Sequence, residues 1–213
     1  MYTTKWLAYS NKFIKIFINM KNIPFETKKI RNFSIIAHID HGKSTLADRI
    51  LELTNLKNSK KVLERVLDNL VLEKKRGITI KLNAVQLYYP PESSEPYILN
   101  LIDTPGHFDF HYEVSRSLAT CEGVILLVDA IKGIQAQTLT YYEIARQQSL
   151  KILPVINKID LPHAQVEKVQ NQLIELLNCS REEICLISAK TGKNVDLLLE
   201  KIISDIPSPL AKR

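Results

Sequence analysis

The sequence Ala37-His38-Ile39-Asp40-His41-Gly42-Lys43-Ser44 joins a short apolar run, Phe33–Ala37, to a helix-like stretch, Lys43–Leu53. It fits the P-loop pattern, with Ala37 in the leading position, where glycine is also common. In such a loop, successive backbone N–H groups and a helix N-terminus surround a phosphate, and Gly42 lets the backbone approach it closely. The alternative is an ordinary turn between a strand and a helix.

A P-loop assigns chemistry to particular side chains. Lys43 is predicted to reach the β- and γ-phosphates of a nucleotide, and the hydroxyl of Ser44 is predicted to ligate Mg2+. The predicted nucleotide-binding residues of this loop are Asp40, His41, Gly42, Lys43, Ser44 and Thr45.

Apolar runs alternate with amphipathic stretches along the rest of the chain. The strand-like runs are Phe33–Ala37, Ile80–Tyr89, Tyr97–Ile102, Gly123–Asp129, Lys151–Ile156 and Ile184–Ser188. The helix-like stretches are Lys43–Leu53, His111–Thr120, Gln135–Gln148, Ala164–Leu177 and Val195–Ile203. Four runs are nearly continuous in apolar residues, as in parallel strands buried on both faces. The proline-rich segment 90–96 predicts a turn, and hence an antiparallel hairpin at the sheet edge.

Strands that alternate with helices predict an α/β protein with the three-layer fold of P-loop NTPases. We expect a mostly parallel sheet with one antiparallel edge strand and helices on both faces. Composition divides the chain into a basic, poorly ordered extension at 1–29, a nucleotide-binding domain at 30–206 and the start of a linker at 207–213. An organelle transit peptide is the alternative for the extension.

The formal charge of +6 is concentrated at the N-terminus. Residues 1–30 carry six lysines and one glutamate, so the remaining body is nearly neutral. This distribution does not indicate a basic groove across the domain, so any contact with RNA would have to be local, and we expect no sequence-specific DNA binding. The three cysteines lack metal-ligand and disulfide spacing, which indicates thiols in a reducing compartment. No stretch approaches the roughly 20 apolar residues that span a bilayer.

Two segments supply candidate residues around the γ-phosphate. Asp103-Thr104-Pro105-Gly106-His107 ends the Tyr97–Ile102 run; Asp103 can hold Mg2+ through water, and the Gly106 N–H can contact the γ-phosphate. The alternative there is a helix N-cap with proline in the first turn. In Arg76-Gly77-Ile78-Thr79, Thr79 is the predicted second hydroxyl ligand of Mg2+, and a plain solvated loop is the alternative.

Two further segments predict recognition of guanine. They are Asn157-Lys158-Ile159-Asp160 and Ser188-Ala189-Lys190, each at the end of a predicted strand. The Asp160 carboxylate can accept two N–H bonds from guanine, and the Ala189 N–H can meet the base carbonyl. Adenine reverses these donors and acceptors and would leave buried polar groups unpaired. Asn157 would tie this loop to the P-loop, and the stem of Lys158 would cover a face of the base.

This motif set resembles the translational GTPases, and Ala37–Thr45 and Tyr112–Leu118 resemble the elongation factor 4 type most closely. The resemblance covers about residues 30–207, the GTPase domain only. It implies slow hydrolysis of GTP to GDP and phosphate with Mg2+, stimulated by the ribosome. His107 then orients the attacking water, and the candidate catalytic residues are His107, Lys43 and Gly106.

Val71 and Phe108 depart from the acidic and aliphatic residues usual in that family. They flank the predicted switch segments, which leaves a truncated guanine-nucleotide-binding module with little turnover as the alternative function. The resemblance implies a bacterial cytoplasmic location, including peripheral association with the inner face of the cell membrane but no integral segment. A mitochondrial or plastid matrix is the alternative.

Overall fold

A computed structural model describes residues 27–54, 84–90, 93–104 and 111–209. The strands in these ranges are β1 Ile30–Ala37, β2 Ala84–Tyr89, β3 Tyr97–Ile102, β4 Gly123–Asp129, β5 Lys151–Asn157 and β6 Cys185–Leu186. The helices are α1 Lys43–Thr54, α2 His111–Leu118, α3 Ala136–Gln147, α4 Val166–Leu177 and α5 Val195–Asp205. Each predicted element has its counterpart here, although residues 80–83 of the second predicted strand lie outside the described ranges.

The six strands form one sheet in the order β2-β3-β1-β4-β5-β6. Strand β2 lies at the edge and pairs antiparallel with β3, with Ala84 opposite Ile102 and Tyr89 opposite Tyr97. The other neighbouring strands pair in parallel. The predicted mostly parallel sheet with one antiparallel edge strand is therefore confirmed.

Strand β4 shows why the sheet needs helices on both faces. All seven of its residues are buried. Ile125 and Leu127 belong to the apolar cluster that includes residues of α1 and α5. Leu126 and Val128 point to the other face, in the cluster formed with α2, α3 and α4. Full burial of one such side chain contributes about 1.5–3 kcal/mol, so a strand that is apolar throughout positions 124–128 is stable only between two helical layers.

The parallel strands bring the predicted site segments to one edge of the sheet. Strands β1, β3, β4, β5 and β6 all end at this edge, because parallel neighbours share their direction. The last strand is shorter than the predicted Ile184–Ser188, since Ser188 leaves the ladder and forms an antiparallel bridge with Lys193. That bridge closes the turn that carries Ala189 and Lys190.

Two expectations from composition can be compared with the described part of the chain. The cysteines are free thiols, with Cys121 buried and Cys179 and Cys185 half-buried. Among the helices that the structure describes, none has the length and apolar character needed to cross a bilayer.

Candidate nucleotide-binding site

The loop between β1 and α1 has a backbone that only certain residues adopt. Gly42 has a φ of 97° and Asp40 a φ of 65°. A Cβ atom on Gly42 would lie 2.4 Å from Nδ2 of Asn157. Glycine is therefore required at position 42 both by backbone conformation and by the close approach of a neighbouring side chain.

His41 is fully buried beneath this loop. Its Nδ1 accepts a hydrogen bond from the N–H of Asp129 at 3.3 Å, and its ring meets that of His38 edge-on with centroids 5.2 Å apart. Burial lowers the pKa of His41 to about 4, since it outweighs the attraction of the Asp129 carboxylate. The imidazole is thus neutral near pH 7, and its bond to the Asp129 N–H fixes the loop against the end of β4.

Asn157, at the end of β5, joins the two halves of the candidate site. Its Nδ2 donates to the carbonyl of His41 at 2.9 Å. Its Oδ1 accepts the N–H of Ala189 at 2.9 Å. One buried amide therefore holds the phosphate-binding loop and the predicted base-binding loop at a set separation.

Lys158 makes a second connection to the same loop. Its ammonium donates to the carbonyl of Asp40 at 2.7 Å and pairs with Oδ2 of Asp129 at 2.6 Å. Burial alone would raise the pKa of Asp129, but hydrogen bonds from Lys158 and from the N–H groups of Ile131 and Lys132 outweigh it, and the pKa is lowered. Asp129 is therefore an ionised anchor for Lys158.

Lys43 bridges the start of α1 and the end of β3. Its Nζ lies 2.9 Å from Oδ1 of Asp103 and donates to both the carbonyl and the hydroxyl of Thr104. The buried Thr104 hydroxyl in turn donates to the carbonyl of Ile35 at 3.0 Å. The Lys43 ammonium, which is predicted to bind phosphates, therefore lies beside Asp103, the first residue of the segment predicted to contact the γ-phosphate.

The residues predicted to recognise guanine lie on the loops after β5 and β6. Asp160 and Lys190 are exposed, whereas Ser188 and Ala189 are buried. The Ala189 N–H is already donated to Asn157, so a base carbonyl would have to share this donor. Ser44 and Thr45 are exposed in the first turn of α1. Thr79, Gly106 and His107 lie outside the described residues.

Sequence reasoning missed Asp129 and Gln137, which contact the P-loop. Asp129 could have been found, because it is a polar residue at the end of a buried strand. The same feature identified Asp103 and Asn157. Gln137 had no such signal. It lies in the first turn of α3, is only 5% exposed, and its Oε1 accepts the N–H of Ile39 at 3.1 Å. It thereby holds the P-loop from the side of α3.

The oxygen-donor chemistry near α1 is suited to Mg2+. The Ser44 hydroxyl and the Asp103 carboxylate are the kind of hard oxygen ligands that this ion prefers. Within the described ranges, no group of three or more His, Cys, Asp or Glu side chains could hold a metal ion. A magnesium ion here would therefore draw most of its remaining ligands from phosphates and water, as is usual for Mg2+ bound with nucleotides.

Comparison with known proteins identifies the family to which this sequence is similar. Residues 28–208 match the model of the elongation factor Tu GTP binding domain. Elongation factor 4 of Phytoplasma mali is 57% identical over 192 residues, which are 90% of this chain and 32% of that protein. Elongation factor 4 of Anoxybacillus flavithermus is 59% identical over 181 residues, 85% of this chain and 30% of that protein. The chain thus spans about a third of the length of these curated relatives.

A solved structure supports the same fold. The crystal structure of a bacterial selenocysteine-specific elongation factor aligns with a TM-score of 0.64 at 28% identity. The alignment covers 82% of this chain and 28% of that one.

Proposed function

Because this chain belongs to the family of the elongation factor Tu GTP-binding domain, we propose that it binds GTP and GDP and hydrolyses GTP to GDP and phosphate. It acts in this proposal as the GTPase domain of an elongation factor 4-like translation factor. The observation that carries the proposal is the Asn157 amide, which contacts both the P-loop carbonyl of His41 and the N–H of Ala189. Separate loops bind the phosphates and the base of a nucleotide, so the two loops must be held at a fixed separation.

Recognition of guanine is assigned to the exposed carboxylate of Asp160 and the loop Ser188–Lys190. The carboxylate accepts hydrogen bonds from two N–H groups of guanine. The Ala189 N–H donates to the base carbonyl and shares this bond with Oδ1 of Asn157. Adenine would place donors opposite donors, which costs far more than a lost apolar contact. The stem of Lys158 covers the base, since its ammonium is held by Asp40 and Asp129.

The phosphates are assigned to residues 40–45 and Mg2+ to Ser44, Asp103 and Thr79. When bound, Mg2+ would neutralise negative charge on the phosphate oxygens. Lys43 adds a fixed positive charge beside Asp103. By its position in the family, His107 orients the attacking water, and Gly106 donates its N–H toward the γ-phosphate. These last assignments rest on the resemblance of residues 103–107 to the family motif.

The cellular setting follows from the relatives. Their name implies a partner on the translating ribosome, which we propose as the activator of hydrolysis. We also propose a cytoplasmic location, with at most peripheral association at the inner membrane face. Residues 30–206 form the proposed GTP-binding unit, with 1–29 as an extension and 207–213 as the start of a linker.

Calorimetry with Mg2+ tests the nucleotide assignment directly. We expect the 213-residue chain to bind GTP and GDP, and ATP to fail to compete at comparable concentration, because the Asp160 carboxylate cannot pair with adenine. Equal affinity for ATP and GTP would contradict the guanine site. Phosphate release measured with and without ribosomes separates a GTPase from a module that binds guanine nucleotides without turnover.

Replacing Lys43 with alanine is expected to weaken GDP and GTP binding by about 1.5–3 kcal/mol, the range for a hydrogen bond to a charged group. The folded chain should persist, since the ammonium is half-buried and its contacts with Asp103 and Thr104 lie at the end of β3 and not in the apolar core. Calorimetry gives the affinity, and thermal unfolding without nucleotide gives the stability. Lys201→Ala, on α5, is the matched control. A collapse of the melting temperature with unchanged affinity would show a purely structural lysine.

A further inference from the structure

Arg49 connects the helix that follows the P-loop to the predicted base-binding loop. It lies on α1, and its Nε donates to the carbonyl of Ala189 at 3.2 Å. Its Nη2 donates to the carbonyl of Lys190 at 2.7 Å. The two residues it holds are 140 and 141 positions away in the sequence. No nucleotide-binding motif of the sequence includes Arg49.

The backbone of Ala189 is therefore held on both sides of its Cα atom. Its N–H donates to Asn157 on the β5 side, and its carbonyl accepts from Arg49 on the α1 side. The rest of the loop is a tight turn, in which the Gly192 N–H donates to the carbonyl of Ser188 at 2.8 Å. With both ends of the Ala189 residue bonded, the N–H predicted to meet the base carbonyl has little freedom to rotate away.

Arginine suits this position because its planar guanidinium offers several donors in a fixed geometry. Two of them serve adjacent carbonyls of one loop, which a lysine ammonium matches poorly. The remaining Nη1 pairs with Glu52 at 2.7 Å on the same helix, but that carboxylate is 57% exposed. An exposed i,i+3 pair contributes little to stability, so the contacts to Ala189 and Lys190 give this side chain its main role.

We propose that Arg49 is a positioning residue for guanine recognition, which sets the Ala189 loop against the helix that carries Lys43 and Ser44. It touches neither base nor phosphate, and it acts by keeping the Ala189 N–H in register with the carbonyl oxygen at position 6 of the base. The inference rests on the proposed function. It adds that selectivity for the 6-oxygen depends on a residue of the phosphate-binding helix.

The test compares three ligands by calorimetry on the full chain with Arg49→Met, which keeps an unbranched stem and removes the donors. GDP and inosine diphosphate both carry the 6-oxygen, and we expect each to bind about tenfold more weakly than to the parent. The diphosphate of 2-aminopurine riboside lacks this oxygen, and its affinity should change by less than about twofold. An equal loss for all three ligands would overturn the proposal, since it would indicate general loosening of the site.

Two further variants distinguish loss of the Arg49 contacts from a general folding defect. Arg49→Lys keeps the charge and the helix propensity but cannot serve both carbonyls, so GDP affinity should fall by about threefold. Glu52→Gln removes the acidic partner and leaves the loop contacts, so GDP affinity should stay within about twofold of the parent. If Arg49→Met does not fold, Arg49→Lys decides, and parental GDP affinity in that variant would overturn the proposal.

The proposed function can fail separately from this inference. A parent chain that binds no GDP would remove the guanine site and the role of Arg49 with it. A parent chain that binds GDP, together with an Arg49→Met variant of the same affinity, would overturn the role of Arg49 alone.

Discussion

Ribosome-stimulated hydrolysis of GTP is expected to fall by roughly two orders of magnitude or more when His107 is replaced by alanine. GTP and GDP affinity should stay within about threefold of the parent, because orienting water stabilises the transition state and not the bound nucleotide. The slow intrinsic rate should change little. His107 therefore separates turnover from binding more sharply than any other predicted residue.

The measurement requires a protein able to engage a ribosome. Since the chain spans about a third of its curated relatives, residues 30–206 are joined to the remainder of the Phytoplasma mali elongation factor 4. The chimera with His107 intact provides the reference rate. A His107→Ala chimera that keeps its stimulated rate within a factor of a few, while losing thermal stability, would show that the ring only packs or caps the following helix.

The second large effect concerns the base. Asp160→Asn should weaken GDP binding by roughly two to three orders of magnitude and raise the affinity for xanthosine diphosphate. The amide donates where the carboxylate accepts, and xanthine offers a carbonyl at the position of the guanine amine. Because Asp160 is exposed and its side chain forms no hydrogen bond or ion pair with the described residues, thermal stability should be unchanged.

Competition calorimetry with GDP and xanthosine diphosphate measures both affinities. Asp205→Asn is the matched control, since this carboxylate lies at the far end of α5 and bonds only the hydroxyl of Ser204 in the described structure. A variant that prefers GDP as strongly as the parent would place guanine recognition elsewhere.

The fold and the motif positions could be predicted because they depend on local patterns. A nearly continuous apolar run such as Gly123–Asp129 predicts a strand covered on both faces, and the strand is buried throughout. Polar residues directly after such runs mark the edge where ligands bind, which located Asp103 and Asn157. Lys43 and Gly42 follow from the spacing of a single loop. All of these inferences use residues close together in the chain.

Contacts between segments that are distant in the sequence could not be predicted from these local patterns. Periodicity predicts which face of α1 is buried, but the packing of that helix on the sheet places Arg49 against Ala189 and Lys190. The folding of the P-loop onto the sheet buries His41 and lowers its pKa, and the pairing of β4 with β5 places Asp129 beside Lys158. These interactions join residues far apart in sequence, so they exist only once the helices and strands have docked and the direction of each side chain is set by its surroundings.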